Sequence, residues 1–241
     1  MRKKTISVIL ALFILLTGFL MTGCGGGKYA ESGMLITSGK DAMALIDGGD
    51  WILVDAQKTT SYEKEHVAKA VNVERAQITI KDPVPNTLAP ARIVAEALGK
   101  AGLTENSNVL IYDDNNNMDS GRLAWTLMIY GHKGEIKIVS GGLSALERED
   151  ATIVSGEMEA ASASYSTEPL DPELIASTED VLGQVNNPKD NVVLLDVRTD
   201  EEYNAGTIPG SVHINYAENN FPDGTYRPVQ QIRICYKDEG I

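Results

Sequence analysis

Few side chains in this chain could carry covalent chemistry. Its 241 residues include two cysteines, Cys24 and Cys235, and three histidines, His66, His132 and His213. A thiolate is both a nucleophile and a metal ligand, so each cysteine is a candidate until its surroundings decide. Two cysteines cannot build a disulfide framework or a multi-cysteine zinc site. The histidines are far apart in sequence, and none has a neighbour suggesting a base or a metal ligand, so no metal or cofactor is expected. The other candidates are three aspartates that close short apolar runs, Asp55, Asp113 and Asp196, and one arginine, Arg198. Sites of open α/β sheets form at the carboxyl ends of strands, where these aspartates would stand. Asp55 and Asp196 could organise a loop there or cap a helix. Arg198 could hold an anion or form a surface ion pair. The asparagines at 115–117 read as a polar turn with no ligand signal.

These residues need elements to position them. Residues 51–54, 109–112, 136–139 and 192–195 are short apolar runs suited to strands buried on both faces. Pro90 opens a helical pattern through Ile93, Val94, Ala97 and Leu98 that Gly102 ends. Residues 121–130 read as a second helix, with Leu123, Leu127 and Tyr130 near one face. Strands alternating with helices predict an α/β fold, a parallel sheet flanked by helices. Cys235 lies in a helical pattern at 229–236 and pairs with Ala97 in the repeat described next, which predicts a helix core position. A free cysteine there acts as a small hydrophobe, so Cys235 is expected to be structural.

The chain repeats itself. Leu53, Val54, Asp55, Tyr62, Val67 and Val73 match Leu194, Leu195, Asp196, Tyr203, Ile208 and Ile214 at a constant offset of 141. Pro90, Val94, Gly102 and Leu103 then match Pro228, Ile232, Gly240 and Ile241 at an offset of 138. The second copy therefore has a loop three residues shorter. The reading divides the chain into residues 35–148, a linker at 149–170 rich in Ala, Ser, Thr and Glu, and residues 171–241.

Composition narrows the function classes. The chain is 43% hydrophobic and 23% charged, which excludes collagen-like, fully disordered and polytopic membrane classes. Its net charge is −13, with no basic run after the N-terminus, so nucleic acid is not an expected partner. Arg2, Lys3 and Lys4 precede an apolar run at 6–20, then Met21, Thr22, Gly23 and Cys24. This resembles a bacterial lipoprotein signal peptide at 1–23. That resemblance implies lipidation at Cys24, a flexible tether at 24–34, and a location at the cell membrane, lipid-anchored outside the cytoplasm.

The second copy reads L-D-V-R at 195–198, E-E-Y at 201–203 and G-T-I-P-G-S-V-H-I at 206–214. This resembles the first signature of rhodanese-like domains. The first copy carries a weaker form: Asp55, Tyr62, His66, then Tyr112, Asp113, Arg122, Trp125, Gly131, His132, Gly141 and Gly142. That order is similar to the non-catalytic half of tandem sulfurtransferases of the thiosulfate and 3-mercaptopyruvate type. The resemblance implies two tandem domains and a small anionic sulfur donor. It also implies a cysteine that carries sulfane sulfur as a persulfide, cradled by loop amides and a helix N-terminus. Arg198 matches an arginine of the donor site.

In the first copy Asp113 stands at the nucleophile position, and a carboxylate cannot carry sulfane sulfur. The first copy is therefore expected to be structural. By the repeat, the second copy's nucleophile falls about ten residues beyond Ile241. The second domain is expected to be incomplete, with no catalytic residue in the chain as it stands. The competing expectations are a non-enzymatic binding or interaction lipoprotein of the same fold and a phosphatase-type relative with a longer cysteine loop.

Overall fold

A computed structural model describes residues 35–158 and 160–241. The signal at 1–23, Cys24 and the tether at 24–34 lie outside the described residues. Among the described residues no helix is long and apolar enough to cross a membrane.

The first half runs β1 (Ile36–Thr37), α1 (Gly39–Gly48), β2 (Trp51–Asp55), α2 (Thr59–Tyr62), β3 (His66–Val67) and β4 (Val71–Asn72). It continues with β5 (Thr79–Ile80), β6 (Thr87–Leu88), α3 (Ala91–Lys100), β7 (Asn108–Tyr112) and α4 (Met118–Ile129). It ends with β8 (Ile136–Val139), α5 (Gly142–Arg148) and β9 (Ile153–Val154). The main sheet has the order β1-β8-β7-β2-β4, and every pair in it is parallel. Side chains alternate across its central strand, because successive strand residues point to opposite faces. Val109 and Ile111 pack with Val94, Leu98, Leu123 and Leu127 on one face. Leu110 and Tyr112 pack with Ala42, Leu143 and Leu146 on the other. The sheet is thus covered on both sides, which is why its strands read as unbroken apolar runs.

The second half runs α6 (Thr178–Asn186), β10 (Leu195–Asp196), α7 (Asp200–Ala205), β11 (Val212–His213) and α8 (Val229–Asp238). The repeat holds at the level of hydrogen bonds. Val54 and Asp55 pair with Val71 and Asn72, and Leu195 and Asp196 pair in parallel with Val212 and His213. Ala101 N bonds Ala97 O, as Glu239 N bonds Cys235 O. Leu103 N bonds Leu98 O, as Ile241 N bonds Tyr236 O.

Three readings are corrected by the structure, and the linker gains detail. The strand expected at 192–195 covers only Leu195–Asp196. Among the described residues nothing flanks β10 where β7 flanks β2, and without that ladder Val192 and Val193 stay exposed and irregular. Helix α4 starts at Met118, three residues before the predicted Gly121, because a buried carboxylate satisfies its opening amides. Ala97 and Cys235 are half-buried rather than core, and the buried positions of α3 are Val94, Leu98 and Gly99. The segment read as an aperiodic linker is docked along part of its length. Strand β9 pairs antiparallel with β3, Ala163 N bonds Gly99 O at 2.8 Å, and Tyr165 is buried.

Candidate functional site

The loop between β7 and α4 sits at the carboxyl edge of the sheet, where the apolar strand ends and the chain turns into a helix. Asn116 and Asn117 take left-handed conformations, φ 51° and 64°, which asparagine tolerates better than most residues. The turn aims backbone N–H groups inward, forming an anion cradle of the kind that helix N-termini and nests provide. Asp113 fills it. One carboxylate oxygen accepts from Asn115 N at 2.9 Å and Asn117 N at 3.0 Å, and the other accepts from Ser120 N at 2.7 Å. The side chain is 1% exposed. Leu143 N bonds the Asp113 carbonyl at 2.9 Å, so the start of α5 also closes on this corner. Gly142 is required there, since a Cβ on it would lie 2.0 Å from that carbonyl oxygen. The arrangement neutralises an anion with donors, but the anion is its own carboxylate. It offers no nucleophilic sulfur, and three of its backbone donors are already engaged by Asp113.

Asp55 and Asp196 occupy equivalent turns. Neither caps the helix that follows; each accepts from the backbone N–H two residues on. Gln57 N bonds Asp55 at 2.8 Å, and Arg198 N bonds Asp196 at 3.1 Å. The side chain at that second residue also reaches the carboxylate. Gln57 Nε2 bonds Asp55 at 2.8 Å and the Glu65 carbonyl at 3.3 Å. Arg198 Nη2 bonds Asp196 at 2.6 Å and the Gly206 carbonyl at 2.7 Å, the matching position. Burial pushes the Asp55 carboxyl up to about 6, although hydrogen bonds from Tyr112 and Gln57 oppose the rise. The guanidinium of Arg198 holds the half-buried Asp196 well below the usual carboxylate range. Arg198, the sequence candidate for an anionic donor, therefore spends its Nε and Nη2 on Asp196 and Gly206.

Cys235 lies on α8, away from any strand-to-loop corner. Its thiol faces Glu218 at 3.7 Å, and partial burial together with Glu218, Glu239 and Asp238 pushes it up, the reverse of an activated thiolate. Each histidine sits within hydrogen-bond distance of a backbone carbonyl: His66 on Tyr62, His132 on Ser107 and His213 on Arg198. No group of three or more potential metal ligands occurs among the described residues.

Sequence reasoning missed two features. A cavity of about 550 Å³ opens beside the Asp113 loop, lined by Lys58, Arg75, Lys81, Asn86 and Asp119 among others. Its Arg75 is held by Asp119 at 2.5 Å and by the Met118 carbonyl at 3.1 Å. Contacts of the second half on the loop were also unforeseen: Asn117 Nδ2 bonds the Gly224 carbonyl, and Asn220 Nδ2 bonds the Asn116 carbonyl. Pairings between residues 44 or more positions apart leave no signal in spacing.

The chain and its fold resemble known proteins. The chain is 24% identical over 201 residues to a putative thiosulfate sulfurtransferase 1 of Mycobacterium bovis, spanning 77% of this chain and 70% of that protein. It is 22% identical over 228 residues to a thiosulfate sulfurtransferase of Corynebacterium glutamicum, spanning 88% and 75%. Its fold is similar to the crystal structure of the 3-mercaptopyruvate sulfotransferase SseA from Escherichia coli, with a TM-score of 0.78 at 20% identity over 87% of this chain and 85% of that one. The yeast Tum1 protein from Saccharomyces cerevisiae gives a TM-score of 0.73 at 18% identity, over 85% and 79%. The profile of the rhodanese-like domain matches twice, at residues 38–149 and 177–238. With both halves matched and their strand registers repeated, the chain belongs to the rhodanese-like domain family.

Proposed function

We propose that this chain serves sulfane sulfur transfer from thiosulfate or a similar small anionic donor. In that reaction a cysteine thiolate attacks the sulfane sulfur of thiosulfate, the sulfur–sulfur bond breaks, and sulfite leaves with the electron pair. A nucleophile such as cyanide then takes the outer sulfur from the persulfide, returning the thiolate. The observation that carries the reading is the amide cradle after β7, a strand-to-helix corner with three N–H groups aimed at one anion. The sulfurtransferase names of the relatives support it. Asp113 makes the first half the non-catalytic partner. The sulfur-carrying cysteine belongs at the position of the second half that corresponds to Asp113.

Thiocyanate formation from thiosulfate and cyanide tests this. The 241 residues alone give no turnover above background. A chain in which the second half carries a matching strand, loop and helix, with cysteine at the position of Asp113, turns over. Turnover by the 241 residues that vanishes in Cys235→Ser would overturn the assignment, and absence of turnover in the extended chain would favour a non-enzymatic binding role. We further propose that Cys24 is lipidated and tethers the protein to the outer face of the cytoplasmic membrane. Two or more acyl chains give stable anchoring. Mass spectrometry of the mature N-terminus should find diacylglyceryl-Cys24, and an unmodified terminus elsewhere would refute the tether.

A further inference from the structure

Three buried polar atoms lack a hydrogen-bond partner among the described residues: Asn117 Oδ1, Ser120 Oγ and Asn220 Oδ1. Their residues are 3%, 0% and 8% exposed. Asn117 and Asn220 belong to one contact, where the Asp113 loop meets the segment after β11, and Ser120 lies three residues on from Asn117 in the first turn of α4. Asn117 Nδ2 donates to the Gly224 carbonyl at 2.7 Å, and Asn220 Nδ2 donates to the Asn116 carbonyl at 3.2 Å. These bonds settle both amide orientations, because a flip would set oxygen against oxygen. Two acceptors and one hydroxyl are therefore buried without a partner among the described residues. Buried polar groups almost always find a partner, so these three call for one that the described side chains do not supply.

The loop chemistry explains why Asn117 reaches across at all. Asn117 is the N-cap residue of α4, yet its side chain makes no cap. A capping side chain accepts from the second or third N–H of the helix. Here the third, Ser120 N, goes to Asp113. The carboxylate caps the helix in its place and leaves the Asn117 amide to bond the other half. Ser140 Oγ adds to the same seam by accepting from Tyr226 N at 2.8 Å.

We propose that residues 113–120 form a docking socket for residues 215–227, completed by one buried water that donates to Asn117 Oδ1 and Asn220 Oδ1 and accepts from the Ser120 hydroxyl. Two donors and one acceptor match the three unpartnered atoms, within the usual two to four bonds of a buried water. A metal ion fits less well: the three oxygens are neutral, and the Asp113 carboxylate already serves three N–H groups. The corner that would carry catalysis in an active copy thus couples the two halves of the chain.

Hydrogen exchange on the full chain, read by mass spectrometry, tests the socket. Asn117→Gly keeps the left-handed backbone and removes the amide; it should speed exchange in 215–227 about tenfold or more while β7 stays unchanged. Asn220→Ala, on the opposite side, should give the same local acceleration. Asn116→Gly removes a side chain that carries none of these bonds and should exchange like the parent. Parent-like exchange in both Asn117→Gly and Asn220→Ala would overturn the socket. A crystal structure should place one water within hydrogen-bond distance of all three atoms, and a dry seam or a cation there would overturn the bridge.

Discussion

Asp55 and Asp196 end equivalent strands, accept the same backbone N–H, and face a side chain that also grips the same distant carbonyl. Their protonation nevertheless diverges. Asp55 is fully buried beside the neutral Gln57 and Tyr112, and its carboxyl rises to about 6. Asp196 is half-buried beside a guanidinium, and its carboxyl falls. Backbone geometry alone does not set the charge of a turn; the partner two residues on and the layers packed over it do. The same contrast runs through the two halves. Val54, Ala56 and Val67 are at most 2% exposed, whereas their counterparts Leu195, Val197 and Ile208 are 38%, 43% and 47% exposed.

Hydrogen exchange should give the largest difference between the halves. Amides of β7, central in its sheet and buried, should exchange on the order of a thousandfold more slowly than those of residues 191–214. Equal protection in the two stretches would show that the second half has a core of comparable strength.

Removing the Asp113 carboxylate should come next. Asp113→Ala strands three loop amides, two of them in buried residues, and should destabilise the first half by about 3 kcal/mol or more in denaturant titration. A loss below about 1 kcal/mol would mean that the loop rearranges to satisfy its own amides.

The Asp55 turn should then show itself in pH dependence. Its folded carboxyl lies above the ordinary value of 3.8, so the folded state holds the proton more tightly than the unfolded chain. Its contribution is present in full below about pH 4 and is lost as pH rises through about 6. The loss amounts to about 3 kcal/mol, at 1.36 kcal/mol per unit. Asp55→Asn should flatten that slope in unfolding curves taken from pH 4 to 7. An unchanged slope would place the titration on another group.

The smallest effect belongs to Arg198→Gln, which gives the second turn the first one's partner. The Asp196 carboxyl should rise toward its ordinary value in a carbon-13 NMR titration, because the Arg198 guanidinium is gone. An unmoved titration would show that Thr207 and the backbone alone hold Asp196 down.

Much of the scaffold was legible in the residue pattern. The offset of 141 anticipated the matching registers of β2 with β4 and β10 with β11, since period-two burial leaves a strand little freedom to slip. Asp113 was legible as the residue that directly follows the apolar run of β7 and opens the turn into α4. What filled its lone pairs was not, and neither was the ion pair of Arg75 with Asp119, formed across 44 positions. The expected strand at 192–195 failed for the same reason: apolar composition marks a segment that can join a ladder, while the neighbour that completes the ladder lies elsewhere.

By itself the sequence determined the α/β alternation, the duplication, the placement of Asp113 and the helical setting of Cys235, because these depend on periodicity and local order. Only the tertiary structure decided that Asp55 is raised and Asp196 lowered, that Arg198 is bound to its own turn, and that Asn117 reaches across the halves. Desolvation and hydrogen-bond partnership depend on what the rest of the chain packs over a residue, and spacing along the chain does not encode that.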